Sequence, residues 1–288
     1  MNLPTDPLYE LLKPARLTAV VDIGANPIDG DPPYKPLLQQ RLCRVIGFEP
    51  QTGALASLNA RKSELETYLP YVVGDGENAQ LNLCLSPGMA SLLTPDPPML
   101  GHFHNFAAWA RVIESVPVST RRLDDISEIE SLDFLKIDVQ GGELTCFQHG
   151  RQRLAKAVAI QTEVSFIPLY KDQPAFGSID LELRSMGFVP HAFVAIKNWM
   201  IAPLSVPNDP AAAINQLLEA DIVYVRDFTR AADMDSEQLK HLAMIAHHCY
   251  QSFDLALNCI HHLVQRQAIS ANAAQDYVGR LKVSTPHA

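Results

Sequence analysis

The chain has 288 residues, of which 47% are hydrophobic and 19% charged, with a formal net charge of −9. That length suffices for one large domain, or for one domain with an appendage. A dispersed acidic surface repels a phosphate backbone, so nucleic acid is not an expected partner.

The five cysteines, Cys43, Cys84, Cys146, Cys249 and Cys259, form no C-x-x-C pair. An odd, scattered set reads as reduced thiols, not as a disulfide framework, and a cytoplasmic location is expected. Met1 to Leu17 lacks the basic-then-apolar pattern of a secretory leader. No run approaches the roughly 20 apolar residues of a membrane helix, so no membrane partner is expected either.

In chain order, the first strong signal is Thr18 to Gly24, a short β-branched run ending in Asp22 and a glycine. It reads as a buried parallel strand entering a tight turn. A helix is expected around Tyr34 to Arg41, a second strand over Cys43 to Glu49, and a helix over Gly53 to Arg61. Tyr68 to Val73 reads as a third strand, and Ala79 to Leu85 alternates like a strand of a hairpin. Ser86 to Ser115 is rich in Pro, Gly and aromatics and reads as irregular. Strands follow at Asp133 to Asp138 and Val158 to Glu163, with a helix from Gly141-Gly142 to about Leu154 between them. A helix near Ser178 to Met186 stops at Gly187. Phe188 to Ile196 and Asp221 to Arg226 are strand-like.

From about Asp235 the spacing becomes helical. Leu239, Leu242 and Ile245, then Leu255, Leu257, Ile260 and Leu263, form a stripe that Ser252 to Asp254 divides in two. Ala271 to Lys282 is a third expected helix. The division expected is therefore an α/β domain over 1–232 and a helical appendage over 233–288, with a possible homo-oligomer formed through the appendage.

Alternating strands and helices predict a doubly wound, mostly parallel sheet whose ligand sits beyond the carboxyl ends of the strands. Three strands end in an acid: Asp22, Glu49 and Asp138. Glu163 ends a fourth. Glu49 at the end of the second strand suits the two hydroxyls of a ribose, and Gly24 allows close approach of a ligand to the backbone. An adenosine-containing cofactor follows. A dinucleotide needs G-x-G-x-x-G before a helix N-terminus. Here Gly24 is followed by Ala25-Asn26-Pro27-Ile28-Asp29-Gly30-Asp31, which lacks the second glycine and adds acids. Those acids oppose a pyrophosphate and tolerate a sulfonium, which favours S-adenosylmethionine over NAD.

Five stretches occur in an order that is similar to the FkbM methyltransferases. They are Val21 to Asn26, Gly47-Phe48-Glu49-Pro50, Arg122 to Asp125, Leu135-Lys136-Ile137-Asp138-Val139-Gln140-Gly141-Gly142-Glu143 and Thr162-Glu163-Val164. The resemblance spans roughly residues 18 to 200. It implies a class I, Rossmann-like fold with a seven-stranded sheet and a reversed last strand, for which Asp221 to Arg226 is the candidate. It further implies that Asp22, Gly24 and Asn26 line the amino-acid side of S-adenosylmethionine, that Glu49 holds the ribose, and that Asp75 lies near the adenine. The Pro-rich, acidic segment Pro27 to Pro33 departs from the family pattern and displaces the helix that usually follows at once.

At the reacting centre, Asp138 is the candidate base or orienting group. Lys136, two residues earlier on the same strand face, and Glu163 are the other candidate catalytic residues. Glu143 opens a helix and suits its dipole. Ser86 to Arg111, with His102, His104, Asn105, Phe106 and Trp109, is expected over the site. His247-His248 and His261-His262 read as ordinary helix residues without metal-ligand partners, and no metal is expected. The expected function is O-methylation of a hydroxyl on a sugar, glycoconjugate or related natural product, so a small-molecule or carbohydrate substrate is the expected partner. A non-catalytic cofactor-binding or scaffold protein of the same fold, and an NAD-dependent oxidoreductase, remain the alternatives at this point.

Overall fold

The computed structural model describes residues 6–26, 30–207, 209 and 213–281. In chain order its elements are α1 (Pro7–Leu12), β1 (Thr18–Ile23), α2 (Lys35–Gln39), β2 (Cys43–Phe48), α3 (Thr52–Arg61), β3 (Glu66–Leu69), β4 (Val72–Val73), β5 (Asn78–Cys84), α4 (Pro97–Leu100), α5 (Phe106–Trp109), β6 (Val112–Arg121), β7 (Phe134–Ile137), α6 (Glu143–Gln148), α7 (Arg151–Leu154), β8 (Ala159–Ser165), α8 (Phe176–Ser185), β9 (Phe188–Trp199), β10 (Gln216–Arg226), α9 (Ser236–Tyr250), α10 (Phe253–Gln265) and α11 (Ala273–Arg280).

Seven strands form one sheet in the order β3-β2-β1-β7-β8-β10-β9. The first five run parallel. β10 inserts between β8 and β9 and is antiparallel to both. This is the doubly wound sheet with a reversed strand that the resemblance implies, and the Asp221 to Arg226 segment is part of that strand. The order reverses between β1 and β7, so both strands point their carboxyl ends into one crevice.

Several boundaries differ from the sequence reading. Tyr68 to Val73 is two strands, β3 in the main sheet and β4 in a separate three-stranded sheet ordered β4-β6-β5. β5 pairs with β6, far along the chain, and not with a hairpin neighbour. β6 begins inside the stretch read as irregular, and Pro117 lies within it. The segment from Gly142 to Leu154 is two short helices, α6 and α7. Pro27, Ile28 and Asp29 of the acidic loop lie outside the described residues, as do Lys282 to Ala288 of the expected appendage. α2 does begin only at Lys35, so the helix after β1 is displaced as expected.

The faces of the main sheet are covered differently. On one, Val21, Leu135, Ile160 and Ile222 meet Phe147, Ile179 and Leu183 of α6 and α8. On the other, Val20, Val45, Phe134, Val223 and Val225 share a core with Leu239, Leu242, Ile245, Leu255, Ile260 and Leu263 of α9 and α10. The C-terminal apolar stripe is thus buried in cis against the sheet. An Asp235–Gln238 capping box starts α9. Among the described residues no helix is long and apolar enough to cross a membrane.

Candidate active site

Strand register assembles the polar floor. Asp22 on β1 stands beside Lys136 on β7, which stands beside Gln161 on β8. Glu163 on β8 pairs with Asp221 on β10, and Glu219 pairs with Ser165 on one side and Lys197 of β9 on the other. In-register neighbours, and residues two apart on one strand, share a face. One face of the sheet therefore carries this whole set near the carboxyl ends of β1, β7 and β8.

Two tyrosines reach the same row from the helical side. Tyr34 Oη donates to Asp22 Oδ2 at 2.6 Å, and Tyr250 Oη, at the end of α9, donates to Gln161 Oε1 at 2.9 Å. The C-terminal layer is thereby in hydrogen-bond contact with the site floor.

Lys136 Nζ donates to the Gly24 carbonyl at 3.1 Å and lies 3.6 Å from Asp22 Oδ1. Burial disfavours its charge, but Asp22 and Asp138 more than offset that and push its pKa up to about 12. It is a fixed cation that ties β7 to the turn after β1. Gly24 sits at φ +79°, and a Cβ there would lie 2.0 Å from the Asp138 carbonyl oxygen. Only glycine permits β1 and β7 to leave the sheet this close together.

Glu49 is buried, and Gln51 N–H donates to its Oε1 at 2.7 Å. Its burial pushes its pKa up. Asp75 accepts from Glu77 N–H at 2.9 Å and from Thr120 Oγ1 at 3.1 Å, and the Glu77 N–H draws its pKa below the usual range.

A cavity of about 730 Å³ joins these groups, a size typical of small-molecule sites. Of the residues singled out in the sequence, Asp22, Gly24, Asn26, Glu49, Asp75, Lys136 and Asp138 all line it. Glu163 does not. It stands behind the wall, taking Gln140 Nε2 on Oε2 at 2.8 Å and Lys197 Nζ on Oε1 at 2.9 Å. Burial and the nearby charges of Asp138 and Glu219 raise its pKa well above the ordinary value.

The expected loop does form the roof. Ser86 to Leu93, Phe106 and Trp109 line the cavity, while His102, His104 and Asn105 do not. His104 Nε2 instead lies 2.7 Å from the Leu204 carbonyl. Phe106 meets Trp199 edge-on at 4.9 Å between ring centroids, and Trp109 meets Trp199 at 5.9 Å. Trp199, Lys197, Glu219, Gln161 and Gln140 are wall residues that sequence reasoning did not single out. All but Gln140 depend on pairing across β8, β10 and β9. Gln140 lay within the most specific motif and gave a usable signal.

His247 and His248 have partners within the fold. His247 Nδ1 lies 2.9 Å from Tyr277 Oη, and His248 lies 3.4 Å from Asp6. Among the described residues no group of three or more His, Cys, Asp or Glu is placed to hold a metal.

Glu143 does more than face a helix dipole. Its carboxylate accepts from Val139 N–H at 2.9 Å and Gly141 N–H at 3.0 Å, clasping the turn after β7. Burial outweighs these donors and lifts its pKa from 4.5 to about 7. A folded-state pKa above the unfolded one makes the contribution to stability complete below pH 4.5. That contribution is lost as pH rises through 7, by about 3 kcal/mol. Glu143→Gln is therefore expected to gain on the wild type as pH rises from 5 to 8 in denaturant titrations. A constant difference between the two proteins over that range contradicts the assignment.

The sequence comparison agrees with the geometry. A family model described as the methyltransferase FkbM domain matches residues 22–190, more than half of the chain. The chain is 29% identical over 181 residues to the 2-O-methyltransferase NoeI of Sinorhizobium fredii (strain NBRC 101917 / NGR234), across 56% of this chain and 70% of that protein. Among solved structures, an FkbM methyltransferase from Methylobacillus flagellatus KT is 13% identical with a TM-score of 0.37. It matches 73% of this chain, which spans only 43% of that one. The magnesium protoporphyrin IX methyltransferase of Synechocystis PCC 6803, solved with bound SAM, is 10% identical with a TM-score of 0.37 over 76% of each chain. On the strength of the domain match, and with Asp22, Glu49 and Asp138 gathered on one cavity, this chain belongs to the FkbM family of S-adenosylmethionine-dependent methyltransferases.

Proposed function

We propose that the chain methylates a hydroxyl group of a sugar, glycoconjugate or related natural product. The observation that carries this reading is the continuity of one cavity. Its lining includes the buried acid Glu49 and Asp138 as well as Trp109, Trp199, Lys197 and Glu219. A nucleoside-type cofactor and a polyhydroxyl acceptor thus have adjoining places. Flat indole rings suit the apolar faces of sugar rings, and carboxylate, amine and amide groups suit their hydroxyls. The name of the Sinorhizobium relative, a 2-O-methyltransferase, supports the same acceptor atom.

The residues present fit the cofactor. Asp22 Oδ1 is buried without a hydrogen-bond partner among the described residues, and Asp31, Glu49 and Asp75 line the same cavity. That excess of acid opposes a pyrophosphate, as in NAD, and suits a ligand bearing sulfonium and ammonium charges. When bound, the cofactor supplies an electrophilic methyl group on sulfur. Glu49 then accepts the ribose hydroxyls, Asp22, Gly24 and Asn26 border the amino-acid portion, and Asp75 lies toward the base. Lys136 holds the Gly24 turn in place and does not take part in proton transfer. Asp138 receives the acceptor hydroxyl's proton, and Glu163 supports it from behind. Five free cysteines suit a reducing cytoplasm.

Calorimetric titration tests the first half of this reading. Glu49→Ala is expected to weaken S-adenosylmethionine binding by about 1–3 kcal/mol, the range for hydrogen bonds to a charged group. Unchanged affinity would remove Glu49 from the cofactor site. Transfer of labelled methyl to a panel of neutral mono- and oligosaccharides tests the second half. Tight cofactor binding with no transfer to any sugar hydroxyl would refute the acceptor class.

A further inference from the structure

Gln140 occupies a backbone position that penalises it. Its φ is +56°, in the left-handed region, and Gly141 follows at φ +102°. For a residue with a Cβ this conformation is strained. Glycine would serve the turn without that cost. The turn is nevertheless pinned around Gln140 on all sides. Ser91 Oγ, from the roof, donates to the Gln140 carbonyl at 2.7 Å, and Glu143 clasps Val139 N–H and Gly141 N–H.

The side chain explains why a glutamine stands there. Its Nε2 donates to Asp138 Oδ1 at 3.0 Å and to Glu163 Oε2 at 2.8 Å. Its Oε1 lies 3.2 Å from Tyr170 Oη, a hydroxyl donor. The reverse orientation of the amide would turn an oxygen toward two carboxylates, so chemistry fixes which end is which. Both amide protons are therefore spent on two acids whose charges oppose each other. The Gln140 amide takes Asp138 Oδ1, and Asp138 lines the cavity.

We propose that Gln140 is a positioning residue for methyl transfer: its amide bridges Asp138 to Glu163, fixes the Asp138 carboxylate through Oδ1, and keeps Oδ2 directed at the acceptor hydroxyl. This rests on the role given to Asp138 under the proposed function. The bridge sets the angle of the carboxylate by holding Oδ1. The other ionisable groups facing this pair are Asp22 on β1, Lys136 on β7, Glu143 on α6, Lys197 on β9, Glu219 and Asp221 on β10, and Tyr170. Lys136 is held by the Gly24 carbonyl and Tyr170 donates to Gln140 itself, so neither replaces the amide. Ser91 ties the same residue to the roof, so the acid is aligned with the cover of the site as well as with its floor.

The test uses the full chain and two variants, Gln140→Met and Gln140→Gly. Gln140→Met keeps the length and removes both donors. Gln140→Gly also removes the backbone penalty, so thermal stability at or above wild type shows that any loss is not a folding defect. Both are expected to lower kcat about 10- to 100-fold and to leave the affinity for S-adenosylmethionine within about twofold of wild type. The Asp138 carboxylate is expected to turn away from its wild-type orientation in Gln140→Met, and the acceptor KM is expected to change less than kcat. A readout independent of the acceptor is the crystal structure of cofactor-bound Gln140→Met beside that of the wild type. An Asp138 carboxylate that keeps its wild-type orientation in folded Gln140→Met overturns the proposal whatever the activity. So does a wild-type kcat in Gln140→Gly. If the wild type transfers methyl to no sugar, the acceptor reading fails, while the structure of Gln140→Met still decides the role of Gln140.

Discussion

Asp138→Asn is expected to reduce turnover by about 10²- to 10⁴-fold, the usual contribution of a positioned general base, while cofactor affinity changes less than about twofold. The substitution keeps the shape of the side chain and removes its capacity to accept a proton. The surrounding structure argues that it leaves the fold alone. Asp138 N–H bonds the Ile23 carbonyl at 3.0 Å through backbone, and the carboxamide oxygen can still accept from Gln140 Nε2. Much of a methyl transfer is alignment of donor and acceptor, and Asn preserves the alignment. What remains to be lost is the proton acceptor. Single-turnover kinetics on the true acceptor with matched calorimetry separates the two effects. Full activity in the variant would reduce Asp138 to an orienting group and leave deprotonation to solvent.

Which parts of this site the sequence discloses follows from how each residue is delivered. Asp22, Glu49 and Asp138 lie at the ends of buried parallel strands, whose continuous apolar runs make the ends easy to read. Gly24 and Gly141 mark turns where the backbone must depart from ordinary φ. Lys197 and Glu219 arrive through an antiparallel pairing with register shifts near Leu217 and Glu219, which no local pattern announces. Tyr34 and Tyr250 come from helices whose apolar residues dominate their signal, and their hydroxyl partners are set only by packing. β6 was hidden for a different reason. Val112, Ile113 and Glu114 are all exposed, so no clean alternation survives, and Pro117 argues against a strand interior. Yet the small sheet that it builds brings Ala79, Leu81 and Thr120 to the cavity wall. Seven strands, their direction and the split helical tail were legible. The cavity wall of Lys197, Trp199 and Glu219 was not, because it exists only after β8, β10 and β9 have paired.

Removal of residues 235–288 is expected to yield an insoluble chain, not a smaller working enzyme. The helices that the sequence presents as an appendage complete the core on one face of the main sheet. Leu239, Leu242, Ala243, Ile245, Ala256, Ile260 and Leu263 are at most 2% exposed, and they share a cluster with Val20, Val45, Phe134, Val223 and Val225 of four different strands. Stripping the cover leaves that strand face open to water, an apolar patch of the kind that drives association. α2, only five residues long, cannot cover it alone. A milder change separates this from general damage. Leu242→Ala, at a position with no measurable exposure, is expected to cost about 2–5 kcal/mol, the range for deleting a buried leucine side chain. Denaturant unfolding reads that loss, and size-exclusion chromatography with light scattering reads the state of both proteins. A soluble, cofactor-binding 1–234 chain would show that the sheet does not need these helices and would restore the appendage reading. Aggregation of the truncated chain, with Leu242→Ala folded but less stable, would place the C-terminal helices inside the folding unit. Their Tyr250 contact to Gln161 then joins that cover to the floor of the active site.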